Sequence, residues 1–306
     1  MAEVLDGKRT ADVIRAELKN EVEAIDAAGR RAPGLAVVLV GGDPASLVYV
    51  GSKVKACAEL GFHSQRHELP ESTTTAELLA LIGRLNADHS IDGILVQLPL
   101  PKHIDEESIL DAIDPIKDVD GFHPVNVGRL YIGHEDEALT PCTPTGIIEL
   151  LERTGVPILG ARAVVVGRSA IVGKPMVSLL INRSATVTVC HSKTRDLPSV
   201  CREADILIAA IGRPGFVTEE FVRPGATVVD VGISHVSDLE AARDYFGDDE
   251  KRFDAIRRRG YTLVGDVHPR RVAPVAGLLT PVPGGVGPLT IALLLKNTLK
   301  AYRMAL

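Results

Sequence analysis

A chain of 306 residues, 45% of them apolar and with a formal net charge of −6, is long enough for two domains and too rich in core-forming side chains to be disordered. Its acidic balance, with no basic run denser than Arg257–Arg259, argues against nucleic-acid and membrane-surface partners. The four cysteines (Cys57, Cys142, Cys190 and Cys201) form no Cys-x-x-Cys pair and have no histidine at zinc-site spacing. Free thiols in a reducing cytoplasm are expected, and no metal.

The opening stretch, MAEVLDGKRTADVIRAEL, has no unbroken apolar core of a secretory leader. No run of about 18 apolar residues occurs, so no membrane span is expected. GLAVVLVGG at 34–42 has the β-branched, glycine-closed pattern of a buried strand. Asp43-Pro44 then opens a helix that Gly61 suits as a stop. ELLALIGRLNAD is a second helix, IDGILVQLPLP a second buried strand ended by prolines, and EESILDAI a third helix. Strands that are apolar throughout and alternate with helices predict a parallel sheet covered on both faces.

A second series starts near 143. TPTGIIELLERTG, GKPMVSLLINR and LPSVCREAD read as helices; ARAVVVG, ATVTVC, ILIAAIG and ATVVDVG read as strands. This is a doubly wound pattern in its own right. A final helix, VGPLTIALLLKNTLKAYRMAL, follows the hinge LTPVPGGVGP. The expected organisation is α/β with two domains: residues 1–142 with 283–306, and a Rossmann-like domain over 143–282. The charged stretch 237–260 reads as a solvated surface insertion; nothing in the sequence specifically supports the alternative of a partner-binding one.

VVVGRSAIVGKPM at 164–176 has the mechanics of a phosphate loop: a buried strand ends at Gly167, and Gly173-Lys174-Pro175 begins a helix whose free N–H groups and positive dipole end face an anion. The pattern is G-x-S-x-x-x-G, which a tight turn without ligand also explains. The following strand ends in Cys190-His191-Ser192-Lys193, with no acid for a ribose. Arg168, Ser192 and Lys193 suit a 2′-phosphate instead, which favours NADP over NAD. His191 is either a loop histidine or an adenosine contact.

In the helix after Asp43, the residues Leu47, Val50, Val54 and Cys57 form one apolar stripe. Lys53 lies at its border, one turn after Tyr49, while Lys55 points to solvent. Lys53 either snorkels from the core edge or sits partly desolvated, where a lysine suits acid–base work. Gln97 ends a buried strand, the end at which open α/β sheets bind ligands. DPIKDVDGFHPVN carries Asp118 and Asp120 before a glycine, either as an Asx turn or as a carboxylate for a cationic or amidine-like group.

YVGSK, GILVQLPLP, KDVDGFHPVNVGRL, PCTPTG, GRSAIVGKP and TPVPGGVGPLT occur in the order and spacing of one family. Over nearly its whole length the chain resembles the bifunctional methylenetetrahydrofolate dehydrogenase/methenyltetrahydrofolate cyclohydrolases. The resemblance implies oxidation of 5,10-methylenetetrahydrofolate with NADP, hydrolysis to 10-formyltetrahydrofolate, a homodimer joined through the cofactor domain, and an active-site cleft between two domains. It makes Lys53 catalytic with Tyr49 and Gln97 in support. It assigns substrate contacts to Tyr49, Leu98, Pro99, Asp120, Pro283 and Gly284, and cofactor contacts to Gly167, Arg168, Ser169, Ser192 and Ile233. The stretch 237–260 departs from the family's usual short connection. The rivals are another two-domain NADP dehydrogenase, a non-catalytic NADP-binding sensor and a monofunctional dehydrogenase; GILVQLPLP and PVPGGVGP weigh against the first, the retained lysine constellation against the other two.

Overall fold

The computed structural model describes residues 1–306, except for the side chains of Pro44 and Ala45. In chain order the elements are β1 (Glu3–Val4), α1 (Gly7–Ala27), β2 (Gly34–Val40), α2 (Pro44–Leu60), β3 (His63–Leu69), α3 (Thr75–Ala87), β4 (Gly93–Val96), α4 (Glu106–Asp111) and α5 (Pro124–Tyr131). There follow α6 (Cys142–Arg153), β5 (Arg162–Val166), α7 (Gly173–Asn182), β6 (Thr186–Cys190), α8 (Leu197–Cys201), β7 (Ile206–Ala209), β8 (Thr227–Asp230) and β9 (Ser234–Val236). The chain closes with α9 (Leu239–Phe246), α10 (Glu250–Arg259), β10 (Thr262–Val264), α11 (Pro269–Val272), β11 (Leu278–Leu279) and α12 (Val286–Met304). Among the described residues, no helix is long and apolar enough to cross a membrane.

The chain forms two compact units, Asp12–Cys142 with Thr290–Leu306 and Met1–Ala11 with Thr143–Leu289. Residues 1–11 and 283–289 thus group with the nucleotide-type unit, whereas the sequence pattern had set them with the lysine-bearing one. Hydrogen bonding explains the first of these: β1 pairs in parallel with β11 and extends that unit's sheet.

The lysine-bearing unit holds a parallel sheet in the order β3-β2-β4. Every residue of β2 and β4 is buried, and one face packs on Leu78, Ile82 and Leu85 of α3 and Ile109 of α4. Strand β3, HSQRHEL, is an edge and mostly polar, so apolar pattern alone gives it no signal. The α2 helix starts where the Asp43 carboxylate accepts from the Ser46 N–H at 2.8 Å. It ends at Gly61, whose φ of 78° is left-handed.

The other unit holds a six-stranded parallel sheet in the order β1-β11-β8-β7-β5-β6. From β5 the chain steps outward to β6, then returns to β7 and proceeds the other way to β8. The switch point therefore lies between β5 and β7, where doubly wound sheets open a ligand crevice. The charged stretch 237–260 is more ordered than a solvated insertion. Helices α9 and α10 close over the antiparallel pair β9–β10 with a small core of Val236, Ala242, Phe253, Ile256 and Val264.

Candidate active site

The buried face of α2 runs through Val50, Lys53, Cys57 and Leu60. Lys53 is only 7% exposed, while Leu47 is 36% exposed and Val54 half-buried. Relative to the apolar stripe, the helix is turned so that Lys53 stands inside the buried face rather than at its border. Its Nζ donates to Gln97 Oε1 at 3.0 Å. Gln97 follows β4, and its Nε2 donates to Leu98 O at 2.7 Å, which orients the amide with its oxygen toward the lysine. The Leu98–Pro99 peptide is cis. Tyr49, one turn before Lys53, is partly exposed, and burial raises its phenol above the usual range.

The loop after α4 reaches the same place because it runs beside β4: Ile94 bridges Asp118 in parallel, and the Ile94 N–H donates to Lys117 O at 2.7 Å. Its charged residues divide their tasks. Lys117 Nζ ties the loop to the carboxyl end of α3 through Leu85 O, Asn86 O and Asp88 O. Asp118 accepts from the His123 N–H at 2.7 Å and Asn126 Nδ2 at 3.1 Å. Among the described residues, no hydrogen bond or ion pair reaches the Asp120 carboxylate, although the Lys53 charge acts on it. Desolvation pushes Asp120 up to about 6; Lys53 opposes this and Asp118 reinforces it. A half-buried carboxylate without a protein donor is an acceptor held open for a ligand.

In the second unit, a cavity of about 310 Å³ opens at the switch point, lined by Gly167, Arg168, Ser169, Ser192, Arg213 and Phe216 among others. Glycine is required in the turn beside it: a Cβ on Gly167 would lie 2.1 Å from Ala210 O, and one on Gly173 2.4 Å from Gly167 O. Ser169 Oγ accepts from the N–H groups of Val172 and Gly173 at 3.2 Å each, tightening the turn into α7. His191 lines the same cavity, and its Nδ1 accepts from the Lys193 N–H at 3.1 Å. Ile233 is 47% exposed and is not among the cavity's lining residues. Pro283 and Gly284 also lie in this unit, where Gly284 O accepts from the Lys8 N–H at 2.8 Å.

The family model for the tetrahydrofolate dehydrogenase/cyclohydrolase catalytic domain matches residues 5–120, and that for the same family's NAD(P)-binding domain matches residues 141–306. The chain belongs to the tetrahydrofolate dehydrogenase/cyclohydrolase family. It is 57% identical to the bifunctional protein FolD of Koribacter versatilis, over 99% of this chain and 98% of that one. It is 55% identical to the FolD of Moorella thermoacetica, over 99% of both. Among solved structures, the bifunctional FolD enzyme of Campylobacter jejuni superposes with a TM-score of 0.90 at 44% identity over the whole of both chains. The Trypanosoma brucei enzyme, complexed with NADP cofactor and inhibitor, also gives 0.90, at 41% identity over 99% of this chain and 98% of that one.

The cavity in this dehydrogenase/cyclohydrolase fits such a dinucleotide. Gly167 lines it in a turn too tight for a side chain, and the amino-terminal end of α7 and the Arg168 guanidinium offer positive charge to phosphate.

Several supporting residues carry no sequence signature. Asn297 of α12 donates to Val119 O and Thr140 O at 2.8 Å each, bracing the Asp120 loop from the far end of the chain. The Cys142 thiol donates to Val119 O at 3.2 Å; burial, with help from the Asp120 charge, raises it well above the usual thiol range. In the cofactor unit, fully buried Asp266 accepts three backbone N–H groups, from Ile211, Gly212 and Arg213, and so fixes one wall of the cavity. Asp230 in turn accepts from Gly232, Asp266 and Val267; burial nevertheless pushes it up to about 7. Asn297 does not stand out in LLLKNTLK, where Lys296 and Thr298 flank it.

Proposed function

We propose that Lys53 is the acid–base group of this methylenetetrahydrofolate dehydrogenase/cyclohydrolase, and that Asp120 holds its folate. The carrying observation is the buried Lys53 Nζ fixed 3.0 Å from Gln97 Oε1, with an unpaired carboxylate near enough to feel its charge. Two parallel N–H donors on the pterin's aminopyrimidine edge match the two oxygens of Asp120. In the cyclohydrolase step, water adds to the methenyl carbon and its proton passes to Lys53. The bond from that carbon to N5 then breaks, Lys53 returns a proton to N5, and one proton is released overall as 10-formyltetrahydrofolate forms. Gln97 keeps Nζ in place, and Tyr49, Leu98, Pro99, Pro283 and Gly284 are the proposed substrate contacts.

Bound NADP supplies the hydride acceptor for the dehydrogenase step. The protein's part is to hold it: Gly167 and Ser169, in the turn before α7, take the phosphates, Arg168 and Ser192 the 2′-phosphate, and Ile233 contacts the remainder. The enzyme works as a cytoplasmic homodimer joined through the cofactor unit. This is supported by β6, an edge strand that pairs with β5 on one side and leaves Val189 40% exposed.

Lys53→Met tests the assignment. Cyclohydrolase turnover, followed by the decay of methenyl absorbance, is expected to fall about a hundredfold or more. Circular dichroism and NADP titration are expected to match the wild type. Full cyclohydrolase activity in the variant would overturn the role.

A further inference from the structure

The charged stretch 237–260 meets the Pro283–Gly284 loop through one side chain. Arg252, on α10, is half-buried; its Nη1 donates to Leu263 O at 3.1 Å and its Nη2 to Val282 O at 2.5 Å. Its Cζ lies 4.2 Å from the centre of the Phe246 ring, so α9 supports the same guanidinium. Asp249 stands 3.9 Å from Nε. The charge is kept at a cost, since burial lowers the guanidinium and Asp249 only partly offsets this.

The loop needs such a brace. Pro281 and Pro283 have no N–H to give, so the segment cannot continue the sheet by backbone pairing. The Thr280 N–H makes the last sheet bond, to Val228 O at 3.1 Å, and the chain is next held where Gly284 O accepts from Lys8. Val282 O, midway between them, is the carbonyl that Arg252 takes. Packing does not replace it, because a cavity of about 290 Å³ borders Pro281 and Val282, walled in part by Val4, Phe246 and Val264. The planar fork of an arginine spans the carbonyls of β10 and of the loop together, which a lysine ammonium matches poorly. Phe253 and Ile256, buried on the same helix, fix the base from which Arg252 reaches.

We propose that Arg252 is a positioning residue for the folate reaction, in which the 237–260 segment clamps Val282 and so sets the Pro283–Gly284 loop against the substrate. The proposal rests on the reading above that this loop contacts folate. Arg252 touches neither substrate nor cofactor in this role; it acts through the loop.

The experiment compares Arg252→Met, Arg252→Lys and Gly284→Ala in the full-length enzyme, with Arg257→Ala on the exposed side of α10 as control. KM and kcat for methylenetetrahydrofolate, NADP affinity and the thermal midpoint are measured for each. Arg252→Met is expected to raise the folate KM about tenfold, with NADP affinity unchanged. Arg252→Lys, which keeps the charge and folds more readily, is expected to recover part of that loss, and Arg257→Ala to behave as wild type. An unchanged folate KM in Arg252→Met overturns the proposal, as does a loss explained wholly by a smaller folded fraction. Gly284→Ala separates the two possible failures, because the φ of 101° at Gly284 makes that change displace the loop directly. If Gly284→Ala raises KM while Arg252→Met does not, the loop contacts folate and Arg252 is not its brace. If neither does, the folate role of the loop fails as well.

Discussion

Around Lys53 the working groups are side chains and the backbone is their scaffold; around Gly167 the working groups are backbone amides and open space, and buried side chains are the scaffold. Lys53, Gln97 and Asp120 come from a helix, a strand end and a loop, and each presents a functional group that the fold leaves under-used. At the cofactor cavity, the absent Cβ atoms of Gly167 and Gly173 let the backbone close tightly around the turn, and Asp266 spends both its oxygens on three amides of the facing loop. Substitution should therefore separate the two regions. The first should lose chemistry while keeping its fold, and the second should lose affinity together with stability wherever a buried scaffold residue is removed.

The largest departure from wild type is expected from Asp266→Ala. It leaves three part-buried backbone N–H groups without their acceptor, at about 1–3 kcal/mol in all, because those near the surface can turn to water. Urea denaturation and NADP titration should both register the loss, while Asp266→Asn, which keeps one acceptor oxygen, should recover part of each. A variant that loses stability yet binds NADP as tightly as before would break the link between this carboxylate and the cavity wall. Arg168→Ala should act more narrowly. If Arg168 holds the 2′-phosphate as proposed, the preference for NADP over NAD should fall by about tenfold or more with little change in the thermal midpoint. An unchanged preference would remove Arg168 from the 2′-phosphate site.

In the lysine-bearing unit the corresponding probe is pH. Asp120 titrates at about 6 in the folded protein, against 3.8 for an ordinary aspartate. The folded state therefore binds the proton more tightly than the unfolded one. This group costs no stability below the ordinary value, costs progressively more as pH rises toward 6, and costs a constant amount above that. Asp120→Asn should thus be more stable than wild type at neutral pH, with the gap closing in acid. Function has the opposite sign, since only the ionised carboxylate accepts both N–H donors. One pH unit below 6 the wild-type folate KM should be about tenfold higher than its plateau. In Asp120→Asn the KM should be high throughout and flat across the same range. A wild-type KM that does not rise below pH 6 would show that Asp120 is not the folate anchor.

Strands buried on both faces, β2, β4, β5, β7 and β8, announce themselves as continuous apolar runs, and from them the α/β class follows. The edge strand β3 does not, because one of its sides needs no burial. The face of α2 shows the limit more sharply. Periodicity counts only apolar residues, so it drew the stripe through Leu47 and Val54 and set Lys53 at its border, whereas the fold buries Lys53 because Gln97 supplies an oxygen for it. That oxygen arrives from 44 positions away. Asn297, Asp230 and Asp266 were hidden for the same reason: their partners are backbone groups distant in sequence, and backbone groups leave no mark on residue type. Motif resemblance pointed to Lys53, Gln97 and Asp120, and so to the bond between the first two, but not to Asn297, which braces the Asp120 loop from α12.

The smallest effect is expected two positions from the largest chemical one. Lys55 shares a helix, a charge and nearly a location with Lys53, yet its side chain is 78% exposed and its partner is Glu59, one turn on, at 3.7 Å. An exposed pair of this kind contributes about 0.5 kcal/mol or less and is screened by salt. Lys55→Met should therefore leave both activities, the folate KM and the thermal midpoint within error of wild type. The contrast with Lys53→Met isolates environment from residue type, since the two variants remove the same group from the same helix. If Lys55→Met lowered cyclohydrolase turnover substantially, an effect at Lys53 would have to be credited to helix charge or folding, and the buried bond to Gln97 would no longer set the proposed catalytic lysine apart from its neighbour.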